Sequence, residues 1–229
     1  MTLVYIISAP SGSGKSTLVA AIKRLVDRLD FSVSYTTRPP RGSEENGRDY
    51  YYTSREVFER MIDRGEFLEY ADVFGNYYGT AKKFLDDAIV RGNDLLLDID
   101  VQGASQLQTS IPEAISIFIL PPTKQELEKR LRRRSSAERM TDEAVIRRRL
   151  ETASREIEKY TEYDYILVND QLDDSIDSLR AIILTERLHA AGREPERADE
   201  QKLVELAESR RLEHVRPGLG PILESFRKS

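Results

Sequence analysis

The sequence predicts an α/β fold in which a parallel sheet is flanked by helices. Three observations carry that expectation. Apolar runs of strand length recur at residues 3–7, 95–100, 115–120 and 165–168, and continuous apolar runs mark strands buried on both faces. Segments of helical period follow these runs. Residues 36–80 break the rhythm: they read as short strands and turns, the pattern of a small mixed β/α subdomain inserted into the main fold.

Composition narrows the function classes. The chain has 229 residues, enough for one sizeable domain with small insertions, and 39% of them are hydrophobic. A net charge of −5 argues against a nucleic-acid-binding surface, which is usually basic. There is no cysteine, so disulfides, thiolate metal sites and a cysteine nucleophile are excluded. No apolar run approaches a membrane span, and Met1-Thr2 leads directly into a strand, leaving no room for a signal peptide. The expectation is a cytoplasmic protein with no nucleic-acid, membrane or obligate protein partner. Its oligomeric state is left open.

The first strand runs into Ser8-Ala9-Pro10-Ser11-Gly12-Ser13-Gly14-Lys15-Ser16-Thr17, and a helical pattern leaves it with Leu18, Ile22, Leu25 and Leu29 on one face. Strand, glycine-rich turn, Lys-Ser-Thr and helix are the setting a phosphate-binding loop needs. The glycines let backbone N–H groups turn inward around phosphate oxygens, and the helix N-terminus adds a partial positive charge. Lys15 would reach the outer phosphates and the Ser16 hydroxyl would help hold Mg²⁺. Ala9 stands in the first glycine place of the pattern, which requires only a negative φ there. The expected fold is therefore P-loop NTPase-like.

Further along, residues 31–35 read as a short strand. It leads into Thr36-Thr37-Arg38-Pro39-Pro40-Arg41. The proline pair forbids helix, so Arg38 and Arg41 are expected on an exposed, extended loop, where two guanidinium forks can converge on one phosphate. Residues 49–52 begin a strand whose alternation sets Tyr50 and Tyr52 on one face and Tyr51 on the other. Ser54 caps a short helix, and residues 66–74 form another strand. After a helix at 81–91 closed by Gly92, the strand at 95–100 ends in Asp98 and Asp100. Acids there would lie at the crevice where α/β sheets bind ligands, and Asp98 is a candidate to hold Mg²⁺ through water. Residues 124–134 form a helix with Leu127 and Leu131 inward and a basic end. Residues 135–140 lack periodicity, and Thr141 caps the next helix, which carries Arg147, Arg148 and Arg149. Two arginine-rich helix ends about an irregular loop have the composition of a lid that closes over phosphates. Glu143 and Arg147 are spaced for an i,i+4 pair. Beyond residue 190 the chain is dense in both charges and carries no motif. An exposed helix, an oligomer contact or a floppy tail all fit it.

Several of these stretches together resemble guanylate kinases of the bacterial type. The carriers are residues 9–17, residues 36–41, Gly47-Arg48-Asp49-Tyr50, Glu66-Phe67-Leu68-Glu69, Gly75-Asn76-Tyr77-Tyr78-Gly79, Asp98-Ile99-Asp100-Val101-Gln102-Gly103, Val145-Ile146-Arg147-Arg148-Arg149-Leu150 and Asn169-Asp170. The phosphate loop alone says only that a nucleoside triphosphate is used; the ordered set is specific to the family. The resemblance runs from the first strand to about residue 190. It implies that ATP and GMP, with dGMP, are converted to the diphosphates. By it, Ser34, Glu69 and Asp100 contact guanine, Arg38, Arg41, Tyr50 and Tyr78 hold the GMP phosphate, and Arg134 and Arg149 reach the transferring group from the lid. Ala9 to Thr17 bind ATP, with Asn169 near the adenine. Lys15, Arg38, Arg134 and Arg149 are the catalytic set. Thr80 stands where the family often has serine and keeps the hydroxyl. The loop after Arg134 is longer than usual and lacks the family's glycine, so Arg132 and Arg133 compete for the role of Arg134. The implied organisation is a kinase domain over 1–190 and a charged extension over 191–229. Within the domain, the core covers 1–35, 81–123 and 160–190, the GMP-binding subdomain 36–80 and the lid 124–159. A carboxylate at Glu69 accepts from both N1–H and the 2-amino group of guanine, whereas adenine offers a bare N1. Hydrogen-bonding sites reject such analogues by roughly 10⁴-fold. Two other readings remain: a non-catalytic module that holds phosphorylated peptides in the same cleft, and a kinase of this fold acting on another phosphorylated metabolite.

Overall fold

The computed structural model describes residues 1–73, 75–137 and 143–227, apart from the side chains of 134–137. In chain order the elements are β1 (Val4–Ser8), α1 (Lys15–Leu25), β2 (Leu29–Phe31), β3 (Tyr35–Thr36), β4 (Tyr51–Tyr52), α2 (Arg55–Asp63), β5 (Phe67–Val73), β6 (Asn76–Ala81), α3 (Lys83–Arg91) and β7 (Asp94–Asp98). They continue with α4 (Val101–Ser110), β8 (Ile115–Leu120), α5 (Lys124–Ala137), α6 (Glu143–Ile157), β9 (Tyr165–Val168), α7 (Leu172–Ala190), α8 (Ala198–Glu208), α9 (Leu212–Val215) and α10 (Gly220–Arg227). The strands form a five-stranded sheet of order β2-β7-β1-β8-β9 and a four-stranded sheet of order β4-β3-β6-β5. β2 runs parallel to β7 and β8 parallel to β9, whereas β6 is antiparallel to both β3 and β5. The α/β fold and the separate mixed sheet are as the sequence predicts. The chain divides into two compact units, residues 1–6 with 28–114 and residues 7–27 with 115 onward.

In the first unit, Leu95, Leu96 and Leu97 of β7 are fully buried. The Asp94 carboxylate accepts the Leu3 N–H at 2.8 Å. The small sheet has a core of its own around Phe58, which stacks on Phe67 at 4.4 Å and on Tyr77 at 5.2 Å between ring centroids. α2 starts where expected, with the Ser54 hydroxyl accepting the Val57 N–H at 3.3 Å. Gly92 closes α3 in the left-handed region at φ 64°, which glycine adopts without a Cβ penalty. Several expected boundaries shift. The strand expected over 31–35 is two pieces in two sheets, β2 ending at Phe31 and β3 beginning at Tyr35. The strand expected at 49 begins only at Tyr51. The helix expected at 81 begins at Lys83, because Ala81 still pairs with Phe67. β7 ends at Asp98, and Asp100 instead caps α4.

In the second unit, all six residues of β8 are buried. α1 buries Leu18, Val19 and Ile22. The four-residue face expected for this helix is shorter: Leu25 is 53% exposed and Leu29 belongs to β2. The helix ends at Leu25 and the chain reverses at Arg28, whose φ is 55°. α5 runs on to Ala137, past the expected end at 134, while the capping role expected for Thr141 lies outside the described residues. Residues 191–227 are folded rather than a floppy tail. α8 packs on α7. The Ile166 N–H donates to the Arg210 carbonyl and the Leu212 N–H to the Asp164 carbonyl, each at 2.9 Å. Residues 210–212 thereby lie antiparallel to β9, at the edge of the large sheet. An exposed edge is a template for wrong pairing, and this segment covers part of it. Arg211 sits 4.5 Å over the Tyr165 ring and pairs with Glu186 at 3.0 Å. α10 packs on α5 and α6, where Ser225 Oγ accepts the Lys124 N–H at 3.0 Å.

Candidate active site

The phosphate loop belongs to the second unit. Gly12 and Gly14 both take φ +93°, a conformation that L side chains rarely adopt. The Ser13 N–H closes a turn onto the Pro10 carbonyl at 3.1 Å. Lys15 and Ser16 open α1, directly after Gly14 at its N-cap. Asn169 holds this loop from beneath. It is buried, and its Nδ2 donates to the Ser13 carbonyl at 2.7 Å. A Cβ on Gly14 would stand 2.3 Å from that nitrogen, so glycine is required here for close approach as well as for φ. Arg130, which the sequence reading passed over, joins the same cluster. Its guanidinium donates to the Asn169 carbonyl at 3.2 Å and to the Ser13 carbonyl at 3.4 Å, and its Nε pairs with Glu126 at 3.0 Å. The usable signal was its place one helical turn before Arg134, on the face of Leu127 and Leu131 that packs near Gly12.

Among the arginines expected in a lid, Arg132 is committed elsewhere. It pairs with Glu128 at 2.8 Å and with Glu143 of α6, through Nη2 at 2.9 Å. Glu143 thus pairs with Arg132, where an i,i+4 pair with Arg147 was expected. Arg133 is exposed. The side chain of Arg134 lies outside the described residues. On α6, Arg149 is half-buried, while Arg147 and Arg148 are exposed.

The remaining candidates belong to the first unit. Arg38 was expected on an exposed loop, yet it is only 6% exposed. Its charge is enclosed by aromatic faces, 5.3 Å from the Tyr50 ring and 5.9 Å from the Tyr52 ring, and is matched by Glu44. Nη1 and Nη2 donate to the two Glu44 carboxylate oxygens at 2.9 and 3.1 Å, and Nε donates to the Tyr78 hydroxyl at 3.0 Å. Burial disfavours the charge on Arg38, but Glu44 and Tyr78 outweigh it and hold its pKa above the usual arginine range. Tyr50 and Tyr78 meet edge to face at 5.8 Å. Burial, with the Asp98 carboxylate second, raises the Tyr50 phenol pKa, so it stays a hydrogen-bond donor. Tyr50 and Tyr52 do share a face. Tyr51 points away and stacks on Tyr35 at 5.0 Å. The Arg41 guanidinium has no hydrogen-bond partner among the described residues, although its backbone N–H donates to Glu44 at 2.8 Å.

Glu69 on β5 is 4% exposed and faces Thr80 across the β5–β6 pair. Burial, reinforced by the negative Asp100, pushes its carboxyl up to about 7 from an ordinary 4.5, and Thr80, through its side chain first and its backbone second, works against that shift. The carboxylate fits because residue 103 lacks a side chain: a Cβ on Gly103 would lie 2.3 Å from Glu69 Oε2. Asp100 caps α4, its Oδ1 accepting the N–H groups of Gln102 and Gly103 at 2.7 and 3.2 Å. Thr80 is fully buried opposite Glu69, which places its hydroxyl on the carboxyl side of the pair. Ser34 is buried, and its carbonyl accepts the Tyr51 N–H at 2.9 Å. This unit therefore gathers a deep carboxylate able to read paired N–H donors and an arginine–tyrosine cluster suited to a phosphate. Among the described residues, no three Asp, Glu or His side chains converge as a metal site.

A sheet strand ending in a glycine-turned phosphate loop that opens a helix defines a P-loop nucleotide-binding protein. The sequence profile of guanylate kinases matches residues 1–186. A guanylate kinase of Koribacter versatilis is 50% identical over 224 residues, 98% of this chain and 95% of its own. One from Vibrio cholerae is 48% identical over 187 residues, covering 81% of this chain and 88% of its own. The crystal structure of guanylate kinase from Anaplasma phagocytophilum superposes with a TM-score of 0.65 at 34% identity, over 81% of this chain and 86% of that one. The chain belongs to the guanylate kinase family.

Proposed function

We propose that the protein transfers the γ-phosphoryl group of ATP to GMP, giving ADP and GDP, and that it accepts dGMP as well. The observation that carries the reading is Glu69: a buried carboxylate, kept in place by the missing side chain at Gly103, with Asp100 nearby. As a carboxylate it accepts from N1–H and the 2-amino group of guanine. Ser34, Thr80 and Asp100 complete the base contacts, and Arg38, Arg41, Tyr50 and Tyr78 take the phosphate. A GMP phosphate oxygen attacks the γ-phosphorus, and the bond to the β–γ bridging oxygen breaks. That nucleophile is already anionic near neutral pH, so the reaction needs charge neutralisation and alignment rather than a strong base. Ala9 to Thr17 cradle the ATP phosphates, Lys15 neutralises the outer ones, and Arg134 and Arg149 act from the lid. Asn169 and Arg130 keep the loop in shape on the adenine side.

Mg²⁺ belongs to this reading. The ion favours one or two protein oxygens with the rest of its shell from phosphates and water. The exposed Ser16 hydroxyl in the first turn of α1 fits that donor chemistry, as does Asp98 acting through water. When bound, the ion neutralises charge on the phosphates. We assign the kinase domain to 1–190, with the GMP-binding subdomain at 36–80 and the lid at 124–159, and the extension to 191–229. No helix among the described residues is long and apolar enough to cross a membrane. A cytoplasmic setting follows from the substrates proposed.

The test is ADP release from ATP and Mg²⁺ with GMP, dGMP, AMP, UMP or CMP supplied separately. Turnover is expected with the two guanine nucleotides alone. Equal turnover with AMP would overturn the role given to Glu69. No turnover with any acceptor, with GMP still raising the melting temperature, would favour a binding module.

A further inference from the structure

Glu44 lies at the centre of the arginine cluster, yet no role has been assigned to it. Its Oε2 accepts three hydrogen bonds: Arg38 Nη1 at 2.9 Å, the Arg41 backbone N–H at 2.8 Å and the Tyr52 hydroxyl at 2.8 Å. Its Oε1 accepts Arg38 Nη2 at 3.1 Å. Its own N–H closes the turn by donating to the Arg41 carbonyl at 2.9 Å. The carboxylate therefore ties three separate pieces together: the Arg38 side chain, the Arg41 turn and the end of β4.

The geometry also divides the Arg38 fork. A guanidinium offers five N–H donors in one plane. Glu44 takes the end formed by Nη1 and Nη2, and the second Nη1 hydrogen goes to the Pro39 carbonyl at 2.7 Å. On the remaining edge Nε donates to the Tyr78 hydroxyl at 3.0 Å, which leaves the second Nη2 hydrogen uncommitted among the described residues. That edge meets Tyr78, one of the residues given to the GMP phosphate. A carboxylate merely keeping the phosphate's place would be free to leave, but this one is fixed by Arg41 and Tyr52 independently of Arg38.

We propose that Glu44 is a positioning residue for the GMP phosphate: it holds the far end of the Arg38 fork so that the Nε–Nη2 edge faces the phosphate, and it sets the turn from which Arg41 projects. The proposal rests on the reading that this site takes GMP. Glu44 touches neither substrate in it.

The test compares E44Q with the unaltered protein in binding GMP and guanosine, and in steady-state kinetics. Guanosine carries the base and lacks the phosphate, so it reports the Glu69 pocket alone. E44Q is expected to weaken GMP about 10- to 100-fold, the usual range for losing hydrogen bonds to a charged group, with guanosine affinity and the KM for ATP unchanged. The Tyr52→Phe variant, which removes one anchor of the carboxylate, is expected to shift GMP affinity the same way by about 3-fold. It serves if E44Q does not fold. GMP binding that is unchanged or tighter in both variants would overturn the proposal, since Glu44 would then compete for Arg38. An equal loss of guanosine and GMP would also overturn it, leaving a structural role only. Failure of the GMP reading is separable, because the unaltered protein would then not prefer GMP over AMP.

Discussion

On the proposed reading, in which Glu69 takes guanine, its raised pKa makes GMP recognition pH-dependent. The free protein holds this carboxyl at about 7, but guanine needs the carboxylate, since N1–H and the 2-amino group both donate. GMP binding must therefore expel a proton at acidic pH. With a pKa near 7, about one molecule in eleven is ionised at pH 6 and about ten in eleven at pH 8. This group alone should tighten GMP about 10-fold between those values, or ~1.4 kcal/mol. The GMP phosphate ionises with a pKa near 6 and adds about 2-fold over the same range if the dianion binds. Calorimetric titration of GMP at pH 6, 7 and 8, in buffers of different ionisation enthalpy, separates the two. The unaltered protein should show about a 20-fold total change and release close to one proton from Glu69 at pH 6. The Glu69→Gln variant should keep only the 2-fold phosphate component. The same pH dependence in both proteins would refute the reasoning. Stability carries the matching sign. A carboxyl raised by folding stabilises fully below about 4.5, and that contribution is lost as pH rises through 7. The unliganded protein should lose up to about 3 kcal/mol over that window from this group, and GMP should restore it.

Three further outcomes follow from particular contacts. Gly103→Ala drives a methyl into Glu69 Oε2 at 2.3 Å, so the KM for GMP should rise about 10-fold or more, as overpacking of a tight site costs, with ATP binding measured alone unchanged. Asn169→Ala removes the 2.7 Å bond to the Ser13 carbonyl; ATP affinity should fall about 10-fold, while GMP affinity in the absence of ATP stays constant. Deleting 191–229 uncovers the β9 edge and removes the buried Ala207, Leu219 and Phe226. The melting temperature should drop by about 10 °C or more, and light scattering should show association through the freed edge.

The fold was largely legible because its signals are local. A strand buried on both faces announces itself as an apolar run, and β7, β8 and β9 were all visible in that way. The phosphate loop was legible for the same reason, since its glycines, Lys15 and Ser16 act within ten consecutive residues. Helix ends at Ser54 and Gly92 followed from capping chemistry. Short strands were less visible. The two-residue pieces β3 and β4 exist only because a partner strand supplies their hydrogen bonds, so nothing in residues 31–35 marks where one sheet ends and the other begins.

By itself the sequence determined the α/β class, the phosphate loop and, through its ordered motifs, the family. Only the tertiary structure decided which charges are buried and what they face. Arg38 reads as a loop arginine beside two prolines, yet three tyrosines and Glu44 enclose it. Glu69 reads as one acid in a strand, and its environment depends on Gly103, thirty-four positions later. Arg130 looked like one cation among five, but the fold sets it on Asn169 and Ser13, and Arg132 on Glu143. The charged C-terminal stretch has no periodic signal strong enough to predict its place, because its anchors are backbone bonds to β9, side chains on α7 and a backbone N–H of α5. The physical reason is the same throughout: periodicity and capping are set by neighbours in the chain, whereas desolvation and pairing of a charge depend on groups that only folding brings near.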